Sequence, residues 1–234
     1  MSITIKTTTQ EVDAASFLAG AVLRELKAGK RVLLFLAGGS SIAVGVKFSK
    51  FVTEGTDPEL FKNLSITLTD ERYGLVNHVD SNLYQLTKQG FNIPNAKITP
   101  ILINDERDKT TEKFNENLKR EFIFSQYKIG LFGIGVDGHT AGILPESRAL
   151  NSDDLAFGYD TPVYSRITMT RKAIEQLDEA VVWMQGKEKW GTFENLQREL
   201  DPIKQPAQLL KKIPTLTIFS DYPSGDYYYM VIDK

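Results

Sequence analysis

One histidine stands in a turn poorly suited to packing a core. Gly133-Ile134-Gly135-Val136-Asp137-Gly138-His139-Thr140-Ala141 follows an apolar run, and the glycines leave His139 little to pack against. An imidazole titrates near neutrality, which suits a general base. Asp137, two residues earlier, can orient or polarise it. The plainer reading is a surface turn with an incidental histidine; glycine density and position favour chemistry. The other histidine, His78, lies in a polar loop and reads as a turn residue or loop clamp.

Two further segments carry polar groups directly after an apolar strand. In Leu36-Ala37-Gly38-Gly39-Ser40-Ser41, paired glycines let the backbone turn tightly and approach a ligand. The helix that follows points free N–H groups and its positive dipole end at the same place. Ser40 and Ser41 add hydroxyl donors, so the segment can cradle a phosphate. It lacks the Gly-Lys-Ser/Thr of a nucleotide P-loop, and its glycine spacing is wrong for a dinucleotide fingerprint. A tight strand–helix turn with a serine cap is the alternative. In Asp70-Glu71-Arg72, a carboxylate can position a base or a sugar hydroxyl, and the arginine can hold an anion in two-pronged fashion. A local ion pair is the simpler account of that triplet.

The elements that would position these groups alternate between apolar runs and amphipathic stretches. Helical spacing over 17–26 ends at Gly29. Residues 32–36 form a continuous apolar run, the pattern of a strand buried on both faces. Then come a helix over 42–51, a strand over 66–68, a helix capped by Ser81, and a strand over 98–102. A charged helix over 110–124, a strand over 129–134, and a helix from Thr170 to about 177 follow. A strand over 180–184, a helix over 187–200, and a strand over 216–219 complete the core. Residues 3–6 and 227–232 are further strand-like runs. The alternation predicts a three-layer α/β fold: a doubly wound, mostly parallel, Rossmann-like sheet with helices on both faces, in one domain over 1–234. Ligands in such sheets bind beyond the carboxyl ends of the strands. All three polar segments should therefore share one rim, and the long polar loop 145–162 is a candidate flap over it.

Composition narrows the chemistry. The 234 residues carry 28 Lys and Arg against 30 Asp and Glu, a net charge of −2, which argues against a nucleic-acid or anionic-membrane binder. Cysteine is absent, which excludes disulfides, thiolate catalysis and cysteine zinc sites; two histidines are too few for a histidine-rich metal site. No metal or cofactor is expected. No apolar run approaches the ~18 residues of a membrane span. The apolar stretch 14–23 follows acidic Glu11 and Asp13, where a secretory signal carries basic residues, so a cytoplasmic location is expected.

With these residues in view, the chain resembles the 6-phosphogluconolactonase family, within the wider group of glucosamine-6-phosphate deaminases. Leu36-Ala37-Gly38-Gly39-Ser40 resembles the family's Ser-Gly-Gly-Ser-Thr phosphate loop. Asp70-Glu71-Arg72 with His78, Ser81 and Asn82 resembles its Asp-Glu-Arg…His…Ser-Asn block. The run from Gly133 to Pro145 resembles its Gly-Met-Gly-x-Asp-Gly-His-Thr-Ala-Ser-Leu-Phe-Pro signature. Arg166-Ile167-Thr168-Met169-Thr170, then Gly186 and Lys189, resembles its Arg-Ile-Thr-Leu-Thr…Gly-x-x-Lys block. Departures are Gly74-Leu75 for a usual Val-Pro, Ser41 for a common threonine, and Gly142-Ile143-Leu144 for Ser-Leu-Phe. The family's acidic, alanine-rich C-terminal block is not evident after Phe219.

The resemblance implies that His139 activates water and that Asp70 and Asp137 order the polar network. It implies that Gly38, Gly39, Ser40, Arg166 and Lys189 hold a sugar phosphate, with Arg72 near the lactone or phosphate end. Backbone N–H groups near Gly138, or Arg72, are then candidates for stabilising the oxyanion. The implied reaction is hydrolysis of 6-phospho-D-glucono-1,5-lactone to 6-phospho-D-gluconate, the lactone being the small-molecule partner; monomer and homodimer are both open. The alternative, a glucosamine-6-phosphate deaminase or isomerase, needs the glutamate of an Asn-Glu-Pro sequence after the histidine. Here apolar Leu144 precedes Pro145, and Glu146 follows it. A non-catalytic phosphosugar-binding domain of a transcription regulator would carry an N-terminal DNA-binding helix pair, whereas residues 3–6 lead straight into the domain.

Overall fold

Val32–Leu36 is buried at every position and sits inside a sheet covered on both faces, as its uninterrupted apolar run requires. The computed structural model describes residues 2–223 and 229–230. In chain order the elements are β1 (Ser2–Thr7), α1 (Glu11–Lys27), β2 (Val32–Leu36), α2 (Ile42–Thr53), β3 (Leu64–Leu68) and β4 (Asp70–Arg72). There follow α3 (Asn82–Lys88), β5 (Lys97–Ile98), α4 (Arg107–Phe124), β6 (Tyr127–Gly133), β7 (Ala156–Asp160) and β8 (Ser165–Met169). The last are α5 (Arg171–Ile174), β9 (Glu179–Met184), α6 (Trp190–Leu196), β10 (Thr215–Ser220) and β11 (Tyr229–Met230).

Eight strands form the main sheet in the order β11-β1-β10-β9-β6-β2-β3-β5. Every pairing in it is parallel except that of β11 with β1. The rest of the strand-like run 227–232 lies outside the described residues. From β2 the chain winds outward one way through β3 and β5. From β6 it winds the other way through β9 and β10. The winding therefore reverses between β2 and β6, and a crevice opens at such a switch point beyond the strand ends. The two glycine-rich segments follow these two strands, so the topology makes them neighbours. An ideal Cβ on Gly133, the last residue of β6, would lie 3.1 Å from the Ser41 hydroxyl oxygen. Among the described residues, no helix is long and apolar enough to cross a membrane.

A second sheet, of three antiparallel strands in the order β4-β8-β7, accounts for the main differences from the sequence reading. Asp70-Glu71-Arg72 is a strand paired with β8, rather than a break after β3. The segment 145–162 is not a free flap: a 3-10 turn over Arg148–Asn151 and β7 lie within it, and β7 is paired along its length with β8. Asn115 on α4 ties it down further, accepting from the Leu155 N–H at 2.9 Å and donating to Asp154 at 2.8 Å. The expected strand over 98–102 ends at Ile98. Pro100 has no N–H to continue the ladder, and Ile101 and Leu102 are buried in the loop beyond. The expected helix over 187–200 is a 3-10 turn, Lys187–Lys189, followed by α6, which ends at Leu196.

Candidate active site

The first wall is the turn from β2 into α2. Gly39 adopts φ 62°, a left-handed conformation that costs glycine little. Gly38 is needed for a different reason. A Cβ there would fall 1.9 Å from Oδ1 of Asn82, so only glycine lets the first residue of α3 come this close. Asn82 in turn donates to the Asp70 carbonyl at 2.9 Å, joining α3 to the small sheet. Ser41 is fully buried, with its hydroxyl facing no partner.

The histidine segment is a tight loop at the end of β6. Bridges Ile134–Thr140 and Thr140–Ile143 fold it back on itself, and Gly138, Ala141 and Gly142 take left-handed φ values of 81°, 51° and 72°. Neighbouring elements hold its carbonyls. Thr192 donates its hydroxyl to Val136, Thr168 to Ala141 and Tyr159 to Gly142, while the Ala207 N–H donates to Gly138 at 2.9 Å. The imidazole Nδ1 lies 2.6 Å from Asp137 Oδ1, which also accepts the His139 backbone N–H at 3.1 Å. Partial burial raises the Asp137 carboxyl, but the His139 amide and imidazole outweigh it and hold the group below its ordinary range. Among the described residues Nε2 of His139 has no partner, and the side chain is 37% exposed. Gly135 makes room for the ring: a Cβ there would fall 2.1 Å from Cε1. The Gly138 N–H, an oxyanion candidate in the sequence, is spent on the Gly135 carbonyl at 3.0 Å.

The small sheet supplies the third wall. The triplet 70–72 is not a local ion pair. Asp70 reaches across to Arg166 at 3.2 Å and accepts from the Thr69 hydroxyl at 2.9 Å. Glu71, 1% exposed, accepts from the backbone N–H groups of Arg72, Asn82 and Leu83 and from the Ser81 hydroxyl. Burial pushes the Glu71 carboxyl up against the pull of these donors. Glu71 thus ties the N-terminus of α3 to β4. Arg72 donates to the Asp80 carbonyl at 2.9 Å, and His78 Nε2 lies 2.9 Å from the Arg72 carbonyl, acting as the expected loop clamp.

These walls enclose a cavity of about 340 Å³, within the range of small-molecule sites. Gly38, Gly39, Ser40, Asp70, Arg72, His139, Arg166 and Lys189 all line it. Lys189 comes from beyond β9, where Gly186, at φ 108°, turns the chain into the 3-10 turn that carries it. Two sequence-selected residues stand apart. Asp137 is behind His139, and Ser41 points into the core and does not reach the cavity. Asn82, which stands in the Ser-Asn pair of the second motif but is not among the expected site residues, lines it too. The clamps Tyr159 and Thr192 carry no sequence signal, because each acts on a carbonyl far away in the chain; Thr168 stands in the 166–170 block, which does not reveal that its hydroxyl holds the Ala141 carbonyl. Among the described residues no group of three or more His, Cys, Asp or Glu is placed to hold a metal ion. The arrangement sets an oriented imidazole in one cavity with the cationic side chains of Arg72, Arg166 and Lys189.

Known proteins resemble this chain in sequence and in fold. The 6-phosphogluconolactonase of Helicobacter pylori strain J99 is 30% identical over 168 residues, covering 66% of this chain and 71% of that one. The 6-phosphogluconolactonase of Neisseria meningitidis serogroup A is 29% identical over 198 residues, covering 78% and 83%. The crystal structure of a 6-phosphogluconolactonase from Shewanella baltica superposes with a TM-score of 0.77 at 22% identity, covering 92% of this chain and 97% of that one. A monomeric glucosamine-6-phosphate deaminase superposes with a TM-score of 0.76 at 17% identity, covering 94% and 97%, so the fold is common to both activities. The family described as glucosamine-6-phosphate isomerases/6-phosphogluconolactonase matches residues 8–218, and the chain belongs to that family.

Proposed function

We propose that the protein hydrolyses 6-phospho-D-glucono-1,5-lactone to 6-phospho-D-gluconate, in the oxidative branch of the pentose phosphate pathway, with His139 as general base. The observation that carries this reading is the imidazole, bonded to Asp137 through Nδ1 and, among the described residues, unpartnered at Nε2, on the wall of a cavity that also holds Arg72, Arg166 and Lys189. Asp137 accepts the Nδ1 proton, which leaves Nε2 as the basic atom. Nε2 takes a proton from water as the water oxygen attacks the lactone carbonyl. The tetrahedral intermediate collapses, the ring C–O bond breaks, and the imidazolium returns its proton to the departing oxygen. The net change is addition of one water, with the acid then ionising. A positioned base contributes about 10²–10⁴-fold.

The phosphate lies against the Gly38-Gly39-Ser40 turn, Arg166 and Lys189. Arg72 joins it, because Arg72 is the register partner of Arg166. Asp70 orients Arg166 instead of moving a proton. The lactonase reading is preferred to the deaminase because the histidine loop offers no second carboxylate to the cavity. Leu144 precedes Pro145, and Glu146 is exposed and off the cavity wall. The reaction calls for no cofactor and no nucleic-acid partner, in keeping with a net charge of −2, and belongs in the cytoplasm with its substrate. The test is to offer the purified protein freshly generated 6-phosphogluconolactone and, separately, glucosamine 6-phosphate. Acid release from the first without ammonia release from the second is expected. The reverse would overturn the assignment.

A further inference from the structure

Tyr164 lies outside the cavity wall, yet two of the cavity's cations rest on it. Arg72 on β4 and Arg166 on β8 are directly opposite in an antiparallel pair, so their side chains leave the same face of the small sheet. Their guanidinium carbons lie 5.2 and 5.5 Å from the centre of the Tyr164 ring. Like charges placed opposite each other repel. Asp70 offsets the charge of Arg166, but among the described residues Arg72 has no carboxylate partner. Each arginine has an Nη group fixed on a protein oxygen, and the Nε of each is buried without a partner. The negative face of an aromatic ring attracts a cation within about 6 Å, more strongly when water is excluded. The Tyr164 backbone, which carries the ring, is fixed at the tip of the β7–β8 hairpin. The Thr161 hydroxyl donates to the Tyr164 carbonyl at 2.7 Å, and the Tyr164 N–H donates back to that hydroxyl at 3.1 Å.

We propose that Tyr164 is a positioning residue that holds Arg72 and Arg166 together as a preorganised pair for the substrate's phosphate. The inference rests on the lactonase reading for the identity of the anion. Without the ring, two long side chains of like charge gain rotamer freedom, and the anion must order them on binding. The effect belongs to affinity for the phosphorylated substrate, because Tyr164 touches no reacting atom.

Three variants separate the possible roles: Tyr164→Phe keeps the aromatic face, Tyr164→Leu keeps apolar bulk, and Tyr164→Ala removes both. Tyr164→Leu should raise KM for the phosphorylated lactone about tenfold, equivalent to about 1.4 kcal/mol, with kcat little changed. Hydrolysis of unphosphorylated glucono-1,5-lactone should be unaffected, and Tyr164→Phe should match the wild type. An unchanged KM in both Tyr164→Leu and Tyr164→Ala overturns the proposal. So does an equal loss on both lactones, which marks a purely structural role, or a Tyr164→Phe enzyme as impaired as Tyr164→Leu. Calorimetric binding of inorganic phosphate keeps the test independent of turnover. If the wild type fails to hydrolyse the lactone, the activity assignment is wrong, while about tenfold weaker phosphate binding in Tyr164→Leu still supports the positioning role. Equal phosphate affinity in the two proteins refutes it.

Discussion

Gly135→Ala tests the geometry of the base at one carbon atom. Gly135 is not in the left-handed region, so alanine can adopt its backbone conformation. The added Cβ would lie 2.1 Å from Cε1 and 2.2 Å from Nδ1 of His139, and 2.8 Å from Oδ1 of Asp137. Non-bonded carbon contacts settle near 3.5 Å, so the ring must retreat by roughly 1.4 Å. The imidazole is 37% exposed and can swing toward solvent, so the fold loses little. Catalysis loses more, because the retreat breaks the 2.6 Å contact with Asp137 and moves Nε2. A displacement of this size costs about 10²-fold in rate, or about 2.7 kcal/mol of barrier. The assay is initial-rate lactone hydrolysis, followed by acid release and corrected for spontaneous opening, beside a thermal melt. A kcat/KM within about threefold of wild type, in a protein with an unchanged melt, would refute the reasoning that fixes the reacting imidazole in this orientation.

Arg166→Ala should raise KM for the phosphorylated lactone by at least about tenfold and scarcely alter hydrolysis of the unphosphorylated one, as steady-state kinetics on both would reveal. Glu71→Ala strips the acceptor from the Arg72 N–H on β4 and from two N–H groups and a hydroxyl at the start of α3, and should destabilise the protein by about 3 kcal/mol, lowering Tm by roughly 10 °C in calorimetry. The Asp137 carboxyl is held below its ordinary value of 3.8, so its contribution to stability is present above that pH and lost as pH falls through the lowered value. The Tm gap between wild type and Asp137→Asn should accordingly be open at neutral pH and close on acidification below 3.8.

The parallel sheet was legible because a strand buried on both faces leaves an uninterrupted apolar run, as in 32–36 and 180–184. The shared rim followed, since polar segments after such strands must emerge at the same end. The small sheet left no such mark. β4 has three residues, all charged, and β7 contains Gly158 and ends at Asp160, so neither shows a strand's alternation. What makes them strands is β8, which pairs with β7 across a short hairpin on one side and, on the other, with β4, whose residues lie far away in the sequence. Ser41 shows the limit of reading residue type alone. A hydroxyl beside paired glycines fits a phosphate cradle, but the onset of α2 turns it into the core beside Gly133. Arg166 and Lys189 were reachable only through family resemblance, because an arginine before an apolar run and a lysine in a charged turn look like ordinary surface residues.

The most direct test of the account is the rate of lactone hydrolysis by His139→Asn at saturating substrate, measured with the affinity for 6-phosphogluconate. Asparagine preserves polarity and leaves Arg72, Arg166 and Lys189 untouched, so product binding should stay near wild type while kcat falls by at least about 10²-fold. Turnover near the wild-type rate in that variant would show that another group activates the water and would contradict the central claim.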